Sequence, residues 1–141
     1  MLKQMVLNYM ENGYSEKLIK SYLELADDTL EGAYSNYNES RFRVATSLAY
    51  YAMFYCANGA IVNAGAKPPK THRSVISEFS RYYVKTGKLD SKFSKYLSKA
   101  MDSRQVSSYN ILADISKKDT LILLGNAKEF IRIVKKAIIL K

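Results

Sequence analysis

An all-α fold, an up-and-down bundle of five to six helices, is the architecture predicted for this chain, and three observations predict it. Apolar residues recur at three- and four-residue spacing through several long segments. No segment alternates apolar and polar residues as a half-buried strand would. The links are short and marked by Gly, Pro, Ser and Asp, which suits antiparallel neighbours in a bundle. With 141 residues the chain fits one domain, 1–141, and can bury roughly two-thirds of its unfolded surface without disulfides or metals.

The elements follow in order. Leu18, Tyr22, Leu25, Ala26, Thr29 and Ala33 form one apolar stripe of a helix from about Ser15 to Tyr37, with Glu24, Asp27, Asp28 and Glu31 mostly on its other side. A second helix, Ser40 to Asn63, is apolar nearly all round: Phe42, Ala45, Ala49, Met53 and Cys56 make one line, and Tyr50, Phe54, Ala57 and Ile61 another. Such a helix must be covered nearly all round, so it is the central helix of the bundle or is shared with a second subunit. Asn63-Ala64-Gly65 ends it, and Lys67-Pro68-Pro69-Lys70 makes a stiff connector. Thr71 is placed to cap a helix running to about Lys85, which Gly87 terminates. Asp90 or Ser91 opens the next, with Phe93, Leu97, Ala100 and Met101 facing inward. After Asp119 and Thr120 a final helix buries Leu123, Ala127, Phe130, Val134 and Ala137.

The net charge of +9 is unevenly divided. Residues 1–39 hold seven acids against three lysines, a balance of −4, and the remainder holds 19 basic residues against six acids, a balance of +13. An acidic face looking one way and a basic one turned toward a polyanion is one reading; solubility alone is the other. Lys88, Lys92, Lys95 and Lys99 repeat at four, three and four residues, so those within the helix form a basic stripe roughly opposite its apolar one. That stripe is the local candidate for a phosphate track, with Lys70 and Arg73 as further candidate nucleic-acid contacts. One histidine and one cysteine exclude the usual zinc ligand sets, and no Gly-rich phosphate loop occurs, so neither metal nor cofactor is expected. Cys56, in an apolar helical run, reads as a buried structural thiol. No signal-peptide core and no run of about 18 apolar residues is present, which points to a cytoplasmic protein without membrane contact.

Arg104 breaks the pattern. It continues the apolar stripe of Leu97, Ala100 and Met101, so its guanidinium points inward or into an interface, where it needs a partner. An ion pair with Asp102 or Glu78 is one solution; a ligand-facing or catalytic role is the other. Tyr109, five residues on, lies about 140° round an unbroken helix, so the two are expected to share a site only if Ser107-Ser108 interrupts the helix or a second subunit supplies one of them.

Ala26-Asp27-Asp28-Thr29-Leu30, Tyr50-Tyr51-Ala52-Met53-Phe54-Tyr55 and Lys70-Thr71-His72-Arg73-Ser74-Val75-Ile76, followed by Phe79, Val84-Lys85-Thr86-Gly87, Arg104 and Tyr109, together resemble the HEPN proteins, nucleotide-binding domains of higher eukaryotes and prokaryotes. The closer likeness is to their small stand-alone prokaryotic branch, from Ala26 to the final helix. The resemblance implies an all-helical homodimer with a cleft along the subunit junction. It also implies a toxin-like or effector protein paired with a small nucleotidyltransferase antitoxin, and a metal-independent RNA endonuclease that carries Arg, four to six residues, then His. In that chemistry a 2′-hydroxyl attacks its own phosphate, histidine moves the proton and arginine stabilises the anionic transition state.

Arg104 matches the arginine, but Gln105-Val106-Ser107-Ser108-Tyr109-Asn110 follows it without a histidine. A phenol with a pKa of about 10 is a poor base at neutral pH, so Tyr109 suits orienting a phosphate or donating a proton. His72, the chain's only histidine, is the other candidate, though its place directly after a cap also suits a capping or surface role. The candidate catalytic set is therefore Arg104, Tyr109 and His72. The competing reading is a non-catalytic module that binds RNA, a nucleotide or a partner protein in the same cleft.

Overall fold

The computed structural model describes residues 1–139, with nothing said of the Ile139 side chain. Five α-helices occur among the described residues: α1 Leu2–Asn38, α2 Phe42–Asn63, α3 His72–Phe79, α4 Lys92–Tyr109 and α5 Lys117–Ile139. A π-helical turn, Ser80–Val84, extends α3. The sequence-based bundle is therefore the observed one, with α2 at its centre and α1, α3, α4 and α5 packed around it. Ala49, Tyr50, Met53, Cys56, Ala57, Ala60 and Ile61 of α2 are fully buried, which is why this helix is apolar on so many faces. Close approach sets the α1–α2 spacing: a Cβ on Gly59 would sit 3.3 Å from Tyr22 Cβ.

The helix ends follow local chemistry. Ser40 takes a left-handed φ of 63°, and the Arg41 N–H reaches back to the Asn36 carbonyl, so α1 closes there and α2 starts at Phe42, two residues later than expected. Gly65 closes α2 in the same way at φ 97°. Thr71 caps α3 as expected, its hydroxyl accepting from the Ser74 N–H at 3.0 Å. The last helix begins at Lys117, before Asp119, because Ser116 Oγ accepts from the Asp119 N–H at 3.0 Å.

The largest departure is α1, which starts at Leu2 and not at Ser15. A search for core-facing periodicity finds no start there, because every side chain from residue 1 to 14 is exposed and the helix stands beyond the bundle. Cys56 is fully buried, and burial raises its thiol pKa, so it is an inert packing residue. No described helix is long and apolar enough to cross a membrane.

Candidate functional site

Three elements meet around Arg104. One line of α2, at three- and four-residue spacing, presents Arg43, Ser47, Tyr50 and Phe54 toward the junction of α3 and α4. Arg104 comes from the fifth turn of α2's neighbour α4, and His72 is the first residue of α3, set there by the Thr71 cap.

Arg104 is only 9% exposed. Neither acid named for it from sequence is its partner: Asp102 is exposed, and Glu78 pairs with Arg81 at 3.7 Å. The guanidinium instead lies 5.6 Å from the ring centres of Tyr50, Tyr51 and Tyr109, and Nη1 donates to the Tyr109 hydroxyl at 3.2 Å. Nε is buried and has no hydrogen-bond partner among the described residues. Three aromatic faces each attract a cation by about 0.5–2 kcal/mol, but they do not neutralise it, and a guanidinium cannot shed its proton. A permanent positive charge is therefore held out of water with unspent donor capacity, the electrostatic condition for binding an anion.

Tyr109 reaches Arg104 along an unbroken helix, contrary to the expected need for a break or a second subunit. Both side chains are long, and Tyr109 ends α4, where its ring swings back over the preceding turn. The two serines stay helical because their hydroxyls are satisfied in place: Ser107 Oγ donates to the Arg104 carbonyl at 3.0 Å, and Ser47 Oγ lies 3.2 Å from Ser108 Oγ. Tyr109 is 73% exposed and stands at the mouth of the cluster.

His72 is neither a cap nor a free surface group. Its Nδ1 lies 2.7 Å from the Tyr50 hydroxyl, and its ring packs on Phe54 with centres 4.7 Å apart. Burial lowers its pKa below the usual imidazole value, and the nearby Arg104 charge lowers it further, so the ring is neutral at physiological pH. Tyr50 is fully buried, and burial, partly offset by Arg104, pushes its phenol up to about 12. Tyr50 thus touches both functional groups, lying beneath the guanidinium and bonding the imidazole.

Sequence reading missed Arg43. Its two terminal nitrogens donate to the carbonyls of Ser107 at 2.7 Å, Asn110 and Ile111 at 3.1 Å each, and Ala113. It closes the C-terminal end of α4 from α2 and so fixes the turn that carries Tyr109. The signal was available, since Arg43 and Ser47 continue the line of Tyr50 and Phe54.

The lysine stripe is elsewhere. Lys92, Lys95 and Lys99 project from a side of α4 about 140° away from Arg104, and Lys88 precedes the helix. Lys92 is paired with Glu129 at 2.7 Å, and Lys88 lies over the Tyr83 ring at 5.7 Å. Lys99 lines a groove of about 370 Å³ between α4 and α5 that also holds Asp102, Asp114 and Asp119. Lys70 and Arg73 are exposed and flank His72 in sequence. No group of three or more His, Cys, Asp or Glu able to hold a metal occurs among the described residues.

The HEPN domain family model matches residues 19–137. A candidate toxin of Methanocaldococcus jannaschii is 32% identical over 97% of this chain and 92% of its own length. A UPF0332 protein of Archaeoglobus fulgidus is 31% identical over 80% of this chain and 89% of its own. A second candidate toxin of M. jannaschii is 26% identical over 85% and 88% respectively.

Proposed function

Because the chain belongs to the HEPN family, we propose that it is a toxin-like effector of that family, acting as a metal-independent RNA endonuclease at the Arg104 cluster and held in check by a small nucleotidyltransferase antitoxin. The observation that carries this reading is the buried Arg104 guanidinium, which has no carboxylate and an unused Nε. A scissile phosphate would supply the missing counter-charge, and the charge that builds on it during in-line attack would strengthen the interaction in the transition state. Tyr109 at the mouth orients a phosphate oxygen. His72 takes the place of the histidine absent after Arg104: with Nδ1–H donating to the Tyr50 oxygen, Nε2 is bare and accepts the proton of the 2′-hydroxyl. The half-exposed rings of Tyr51, Phe54 and Tyr55 offer stacking surfaces for unpaired bases.

Names of relatives support the toxin-like role. A homodimer fits the same surface, since the part-exposed rings of α2 lie beside Arg104 on an open side that a second copy would cover. Incubating purified protein, freed of bound partner, with single-stranded RNA in EDTA tests the proposal. Fragments ending in 2′,3′-cyclic phosphate are expected, and co-expression with the nucleotidyltransferase should suppress them. One observation favours a second reading, a non-catalytic RNA- or nucleotide-binding module: a phenol stands where the family's histidine is expected. RNA binding that depends on Arg104 without any cleavage would establish it.

A further inference from the structure

The first four turns of α1 carry a surface that the bundle does not use. Leu2, Met5, Val6, Tyr9 and Met10 are between 51% and 81% exposed, a large apolar patch for a surface. At about 100° per residue, these side chains and Gly13 form one stripe, turned about 110° from the line of Ile19, Ala26 and Ala33 that faces the core. The bundle-facing side at this level is polar instead, with Gln4 donating to Asn8 at 3.0 Å and Asn12 one turn on. The stripe therefore does not continue the chain's own core; it faces outward by design of its sequence.

Lys3 and Glu11 are the only charged side chains among residues 1–15, so neither a polyanion nor an anionic bilayer finds an electrostatic hold here. Further along, the same outward line becomes charged and mainly acidic: Lys20, Glu24, Asp27 and Glu31. An apolar helix sliding past the fourth turn would meet those charges, so the contact is confined to the first four.

We propose that this segment is a self-association surface, on which α1 of a second copy lies antiparallel. The apolar positions 2, 5, 6, 9, 10 and 13 read the same from both ends, so a two-fold axis between residues 7 and 8 sets Leu2 against Gly13, Met5 against Met10 and Val6 against Tyr9. Gly13 leaves the space that Leu2 enters, since nothing lies within 4 Å of where its Cβ would be. Two such segments bury on the order of 1,000 Å² together, the lower limit of a specific interface, so the association is reversible at micromolar concentration. This contact is separate from any pairing through α2 and does not depend on the nuclease proposal.

The full-length double variant Val6→Glu/Tyr9→Glu tests it by light scattering at tens of micromolar protein. Its assembly mass should be half that of the unaltered protein at equal concentration, with an unchanged circular dichroism spectrum. Orientation is read by oxidative cross-linking of Leu2→Cys and Gly13→Cys chains: mixed, they should join to each other in preference to themselves. Equal masses for the variant and the unaltered protein, or preferential joining of Leu2→Cys to itself, would overturn the proposal.

Discussion

Two basic regions of this protein differ in what surrounds the charge. The lysines from Lys88 to Lys99 outnumber Arg104, yet all four are exposed, Lys92 already has Glu129, and Lys99 shares its groove with three aspartates. Water and salt screen such charges, and their individual interactions contribute little. Arg104 is one charge without a carboxylate, walled by three tyrosines and left with a buried, unpartnered Nε. A low local dielectric makes every unit of that charge act more strongly on an incoming anion. The comparison teaches that the counting of basic residues finds the electrostatic footprint, whereas desolvation finds the site.

Arg104→Ala should break the comparison most severely. Cleavage should fall by roughly 10³-fold, because the guanidinium acts on charge that develops in the transition state. Stability should change by less than about 2 kcal/mol, since no buried carboxylate is orphaned and what is lost is chiefly cation–π contact. Measuring turnover and melting temperature on the same preparation separates this from a structural role, which would cost stability first.

His72→Asn should lower cleavage by roughly 10²-fold. In the unaltered protein the acidic limb of the pH–rate profile should lie below 6.5, the ordinary value from which burial and then Arg104 depress the imidazole. The same depression links to stability. Its contribution is fully present above pH 6.5 and is lost as the pH falls through the folded-state pKa, because the unfolded chain binds the proton more readily. Thermal melts from pH 7 to pH 4 should show that loss in the unaltered protein and a shallower one in His72→Asn.

Much of the fold was legible because helix periodicity, a Thr cap and glycine stops are local signals. The site was legible only in part. Arg104 stood out as a charge on an apolar stripe, but its aromatic surroundings depend on α2 and α3 arriving from elsewhere in the chain. The reach of two long side chains defeated the angular argument that kept Arg104 and Tyr109 apart. His72 looked like a cap neighbour because sequence distance hides Tyr50, 22 residues away. The start of α1 was missed because its apolar residues face away from the core whose periodicity was sought.

Arg43→Ala sharpens the comparison from the structural side, since this arginine satisfies four carbonyls and touches no proposed ligand. Stability should fall by about 2 kcal/mol, measured by urea unfolding, and cleavage should weaken through displacement of the Tyr109 turn. The smallest effect belongs to Lys95→Glu/Lys99→Glu. The dependence of RNA affinity on salt should flatten by roughly one to two units if the stripe adds remote phosphate contacts, while cleavage at saturating RNA stays within about threefold.

The central claim is that Arg104, and not the lysine stripe, takes the anion. Arginine side-chain Nε–H resonances in ¹⁵N-labelled protein, assigned through Arg104→Lys, report on it directly during titration with a short single-stranded RNA. The account expects the Arg104 Nε–H signal to shift and become protected from solvent exchange at the stoichiometry of binding, ahead of any change at the lysine ammonium groups. An Arg104 signal that stays in place while the lysine signals titrate would contradict it.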